Sequence, residues 1–115
     1  MAIASPYNYA PTGVYSGFPT KDEIQYILEL KYPDEYCIME CLVRKESQYC
    51  QNMIGDHGLA IGCYQIHIDK HPVSRECAMD FECSAYFTYN KIKDGKGYLW
   101  TPYYKCLSQC KGRAY

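Results

Sequence analysis

The chain has no apolar run approaching the roughly 20 residues that a membrane-spanning helix needs. It also has no excess of charge of either sign. Twelve basic residues stand against 13 acidic ones, for a formal net charge of −1. That balance argues against nucleic acid as the main partner, because phosphate binding requires a basic face. It gives no strong steering toward an anionic wall or membrane either. The start, MAIASPYNYA, contains no basic region ahead of an apolar run, so no signal peptide is read there. Internal repeats are missing. Tryptophan is nearly missing too, with one residue against 14 tyrosines.

What remains is a globular profile: 48 % hydrophobic and 22 % charged residues in a chain of 115. That length suits one domain with a modest core. Cysteine is abundant, with Cys37, Cys41, Cys50, Cys63, Cys77, Cys83, Cys106 and Cys110. An even number in so short a chain indicates a disulfide framework and an oxidising, extracellular setting. A competing reading groups Cys37, Cys41, Cys106 and Cys110 as a four-cysteine zinc site, but leaves the other four unexplained. Bridges from one of these i, i+4 pairs to the other would staple helix to helix. A bridge within either pair would constrain little. Cys50 with Cys63, and Cys77 with Cys83, are candidate local closures.

Residues 1–19 hold tyrosines, prolines and glycines without a period, and read as an extended arm that offers contacts to a sugar or protein partner. Residues 20–115 form the domain proper. Thr20 and Glu23 make a capping box, Ile24, Ile27 and Leu28 an apolar face, and Pro33 a stop. A second helix opens at Pro33-Asp34 and carries Ile38, Cys41 and Leu42 on its buried stripe. Glu46 falls four residues after Leu42, along the edge of that stripe and near the helix end. Three glycines and IGCYQIHID then suggest a turn and a short β-hairpin. MDFECSAYFTYNKIKDG predicts a third helix, with Phe81, Ala85, Tyr89 and Ile92 at helical spacing. In WTPYYKCLSQC, Thr101 is the expected cap of a last helix, with Tyr103, Cys106, Leu107 and Cys110 on one face. The predicted class is α+β, mostly helical, with a short hairpin and disulfide stabilisation.

Two carboxylates stand out. A carboxyl at the rim of an apolar face loses hydration, which raises its pKa and lets it hold a proton near neutrality. Glycoside cleavage requires such an acid on one side of the bond and a second carboxylate to activate water or act as nucleophile. Glu46 fits the first role. Asp56, in the glycine-rich turn, is the candidate for the second, with Asp69 in reserve. Tyrosine faces suit sugar rings. His57, His67 and His71 lie near Cys63 and Asp69, but their spacing matches no zinc motif, and they read as surface or cleft-wall residues.

The stretch KES followed by GDHGLAIGCYQIH resembles the lysozyme-like superfamily. Goose-type lysozymes and lytic transglycosylases carry Glu-Ser at a helix end, followed by Gly-x-x-Gln-(Ile/Val), here Gly62 to Ile66. Gly55-Asp56 and Gly58 make the goose-type likeness the closer one. CIMECLVRKESQYC is similar to invertebrate-type lysozymes, and GYLWTPYYKC to a late Trp-x-x-aromatic stretch in small lysozyme-like domains. The likeness spans about residues 34 to 106. It implies a lysozyme-like fold and a muramidase that cleaves the β-1,4 bond between N-acetylmuramic acid and N-acetylglucosamine in peptidoglycan. Glu46 would be the general acid, and Asp56 would position or activate water. Tyr64, Gln65, His67 and Tyr89 would contact the glycan. No metal or cofactor is implied. His67 stands where the goose-type pattern tends to have a second acidic residue. That departure leaves open a lytic transglycosylase outcome, with a single glutamate as acid and then base. A glycan-binding or assembly domain of the same fold is the non-catalytic alternative.

Overall fold

The computed structural model describes residues 19–111. The N-terminal arm, apart from Pro19, lies outside the described residues. The first helix, α1 (Lys21–Lys31), begins as expected: the Thr20 side chain accepts from the Glu23 amide and the Glu23 side chain accepts from the Thr20 amide. Ile24 and Leu28 are fully buried. Pro33 then opens a 3₁₀ turn (Pro33–Glu35) that leads into α2 (Tyr36–Ser47). Ile38, Met39, Cys41, Leu42 and Val43 bury most of the circumference of α2, which packs against α1 and, more extensively, α5 (Tyr103–Cys110).

The helix ends abruptly after Ser47. Gln48, Tyr49 and Cys50 all take left-handed backbone angles, with φ of 52°, 60° and 69°. Three such non-glycine residues in a row store strain and persist only where the surroundings fix them. Two attachments do so here. The Ser47 hydroxyl accepts from the Cys50 amide at 2.8 Å, and Cys50 is bridged to Cys63. Glu46 is thereby held in the last turn of α2.

The expected hairpin is a three-stranded antiparallel sheet of very short strands: β1 (Ile54–Gly55), β2 (Ala60–Ile61) and β3 (Ile66–His67). The register pairs Ile54 with Ile61, and Ala60 with His67. Gly62, between β2 and β3, has φ of 87°, and a Cβ there would overlap the carbonyl of Ala78. Gly62→Ala is therefore expected to cost about 3 kcal/mol or more, read as a lowered urea midpoint.

The third predicted helix is present as α4 (Phe81–Lys93), within the predicted stretch; Asp80 is extended and its side chain caps α4 by accepting from the Cys83 amide. Ahead of it lies a short helix with no counterpart among the sequence expectations, α3 (Arg75–Met79). The Cys77–Cys83 bridge joins the two. The expectations for the last helix are corrected. Thr101 makes no capping hydrogen bond to α5, whose N-cap position is Pro102. Leu107 also turns outward, while Cys106 and Cys110 are fully buried.

All eight cysteines are paired. Cys37–Cys110 and Cys41–Cys106 staple α2 to α5, so the four-cysteine zinc site is excluded by the use of its thiols in bridges. The architecture is α+β, mostly helical, with four disulfides. Among the described residues no helix is long and apolar enough to cross a membrane.

Candidate functional site

A cleft runs between the end of α2, the small sheet and the segment 99–105. Its central compartment, about 350 Å³, is lined by Glu46, Asp56, Ala60, Gln65, His67, Leu99, Trp100 and Thr101. A second compartment of about 200 Å³ shares Gln65, His67, Leu99 and Trp100 and extends to Lys70, His71 and Phe87. A third, of about 500 Å³, shares Glu46 and Thr101 and extends to Lys45, Tyr104 and Lys105. Shared walls make the three one cleft, and Glu46 stands at the junction of the central and third compartments.

Glu46 is half-buried, and among the described residues no hydrogen bond or ion pair reaches it. Loss of hydration pushes its carboxyl up from an ordinary 4.5 to about 7. Its place in the last turn acts in the same sense, because the negative end of the helix dipole opposes a negative side chain. Glu46 is therefore an acid that retains its proton close to neutral pH, facing open space.

Asp56 lies across this compartment at the start of the 3₁₀ turn Asp56–Gly58. Asp56 and His57 are left-handed, with φ of 50° and 56°. The Asp56 side chain is 54 % exposed, and its Oδ2 lies 3.3 Å from Nε2 of His67. Gly55, just before it, admits the Gln65 side chain, since a Cβ there would overlap Oε1 of Gln65. Gln65 donates from Nε2 to the carbonyls of Gly62 at 2.9 Å and Asn52 at 3.3 Å, so it braces the two sides of the sheet while lining the cleft.

Of the candidate residues, Glu46, Asp56, Gln65 and His67 meet in one compartment. Two tyrosines do not join them. Tyr64 is fully buried, its hydroxyl donates to the Met39 carbonyl at 2.8 Å, and its own carbonyl accepts from Trp100 Nε1 at 2.8 Å. It is a core tie between the sheet, α2 and the cleft wall, not a stacking platform for a ligand. Tyr64→Phe is expected to lower stability by about 1–2 kcal/mol in urea unfolding while leaving ligand affinity at the cleft unchanged. Tyr89, on α4, stacks on Tyr32 with centroids 4.6 Å apart and lines none of the three compartments.

In the sequence, GYLWTPYYKC stands out only as part of the resemblance and gives Leu99, Trp100 and Thr101 no role in the site, yet they line the central compartment with Asp56. Trp100 is 6 % exposed and packs edge-on against Phe87 at 6.3 Å. Its rarity is the available signal: the chain has one tryptophan, in the stretch GYLWTPYYKC. Cys63 is used in a bridge, and among the described residues no cluster of histidine, cysteine and carboxylate side chains is arranged to hold a metal ion.

Fold and site together define a small disulfide-stapled α+β domain whose open cleft carries a half-buried glutamate, its carboxyl raised to about 7, opposite an aspartate. Comparison with protein-family models, curated proteins and solved structures yields no match for this chain.

Proposed function

We propose that this chain is a lysozyme-like muramidase acting outside the cell on peptidoglycan glycan strands. The observation that carries the reading is Glu46: a carboxyl at a helix end, in an open cleft, raised to about 7 with no cation paired to it among the described residues. Such a group donates a proton to a glycosidic oxygen as the bond to the anomeric carbon breaks. Asp56 faces it and supplies the second carboxylate, which takes a proton from the attacking water. The oxygen of that water bonds to the anomeric carbon, and the departing sugar leaves with the proton from Glu46. Trp100 and Leu99 provide an apolar wall for a sugar ring. Four disulfides suit an oxidising extracellular setting.

The test is digestion of purified bacterial cell walls by the full chain, with soluble fragments analysed by mass. Fragments ending in reducing N-acetylmuramic acid are the expected product. Walls left intact under conditions where a reference muramidase dissolves them would refute the reading.

A further inference from the structure

His67 is shared by two of the compartments of the cleft. It sits on β3, paired with Ala60 of β2, and is 30 % exposed. Its Nε2 lies 3.3 Å from Oδ2 of Asp56. Its Nδ1 is buried, has no hydrogen-bond partner among the described residues, and lies 4.0 Å from Oδ1 of Asp69. The imidazole thus stands between two carboxylates, and only the Asp56 side is within hydrogen-bonding reach. Asp56 is more than half exposed, on a left-handed turn, and its side chain accepts no hydrogen bond among the described residues; the His67 imidazole is its one close charged neighbour there.

We propose that His67 is a positioning residue that tethers Asp56 through the 3.3 Å contact between Nε2 and Oδ2 and thereby commits the cleft to hydrolysis over intramolecular transglycosylation. The inference rests on the muramidase reading. After Glu46 has given its proton to the leaving oxygen, two nucleophiles compete for the anomeric carbon. One is water, which transfers its proton to Asp56 as its oxygen forms the new bond. The other is the 6-hydroxyl of the muramyl residue, whose proton returns to the Glu46 carboxylate as the 1,6-anhydro ring closes. Water prevails only while Asp56 is held over the cleft. A carboxylate free to turn into solvent orients no water, and a misplacement of about 1 Å is enough to cost a large factor in rate. Among the described residues the Asp56 side chain has no anchor other than His67. Beneath it, β3 is fixed by the sheet register, the Cys50–Cys63 bridge and the Gln65 brace. The tether therefore joins an exposed carboxylate to a rigid strand.

The experiment compares the wild-type chain with His67→Gln, which keeps a donor at a similar reach, and His67→Phe, which keeps bulk without a donor. Each digests cell walls to completion, and the ratio of anhydro to reducing muramyl ends is measured with kcat and KM. Wild type is expected to give mainly reducing ends. His67→Phe is expected to lower kcat about tenfold, change KM by less than about twofold, and raise the anhydro share severalfold. His67→Gln should fall between them. A merely structural role would lower activity or stability without altering the product ratio. An unchanged ratio in a folded His67→Phe protein would overturn the proposal, as would mainly anhydro ends from the wild type. If His67→Phe does not fold, His67→Ala, which removes the donor without adding bulk, takes its place: an anhydro share raised above wild type supports the tether, and an unchanged share overturns it. A Glu46→Gln variant that still cleaves walls would instead remove the underlying reading, so the two failures are distinct.

Discussion

Glu46→Gln is expected to lower the rate of wall cleavage by about 10²–10⁴-fold, with little change in the affinity for glycan. The amide keeps the shape of the side chain but has no proton to give to a leaving oxygen. The same substitution should make the protein more stable, in a pH-dependent way. In the folded state the carboxyl titrates at about 7, against an ordinary value of 4.5. Below pH 4.5 folded and unfolded chains are both protonated, and the neutral carboxyl is buried without an ionisation penalty. Between about 4.5 and about 7 the unfolded chain ionises first, so stability falls with rising pH and levels off above 7. The amide of the variant does not titrate and suffers no such loss. The stability gap between variant and wild type should therefore widen by about 1–2 kcal/mol from roughly pH 4 to pH 8, after allowance for the partial exposure of the side chain. Urea unfolding at the two pH values measures this. Activity of the wild type should decline as pH rises through about 7, because only the protonated acid is competent. Equal cleavage by both proteins would exclude Glu46 from the chemistry.

Loss of both α2–α5 bridges should cost more than twice the loss of one. Cys37–Cys110 and Cys41–Cys106 are separated by 73 and 65 residues in sequence. In the chain-entropy account a single closure of that size contributes about 4 kcal/mol. The two bridges are nested, however. While one remains, the other closes an effective loop of only roughly eight residues, worth about 2–3 kcal/mol. Cys41→Ala with Cys106→Ala should thus lose about 2–3 kcal/mol, and replacement of all four cysteines about 6–7 kcal/mol. A domain of this size has about 5–15 kcal/mol in total. The single-bridge variant should fold and keep its activity, whereas the four-cysteine variant should be largely unfolded at about 37 °C, measurable by circular dichroism. The consequence reaches the cleft, since Pro102, Tyr104 and Lys105 line it from the end of the chain that these bridges fasten to α2.

Some of this molecule is legible residue by residue. The Thr20–Glu23 box, the Ile24–Leu28 face and the Pro33 stop depend on neighbours a turn away, so local spacing carries them. The helix-to-helix use of the two cysteine pairs follows from their i, i+4 spacing, because an intrahelical bridge adds almost no constraint. The position of Glu46 at the rim of an apolar stripe is likewise a matter of helical period, and it leads to a raised carboxyl.

Other features depend on contacts that spacing does not encode. Tyr64 reads as a sugar-facing ring in a strand next to Gln65. The left-handed backbone at Gln65, φ 52°, and the tight Gly62 turn against Ala78 instead carry its side chain into the core beneath α2. The short helix α3 ahead of Asp80 has no periodic signal of its own; the Ser74 cap and a six-residue bridge to α4 hold it in place. Trp100 becomes the cleft wall through one hydrogen bond to a residue 36 positions earlier. The sequence alone determined which carboxyl would be raised and which helix would carry it. Only the tertiary structure decided that Asp56 and His67 face that carboxyl across a common space. Their meeting depends on a strained turn after α2 and on a three-stranded sheet with two residues per strand, neither of which has a local period to announce it.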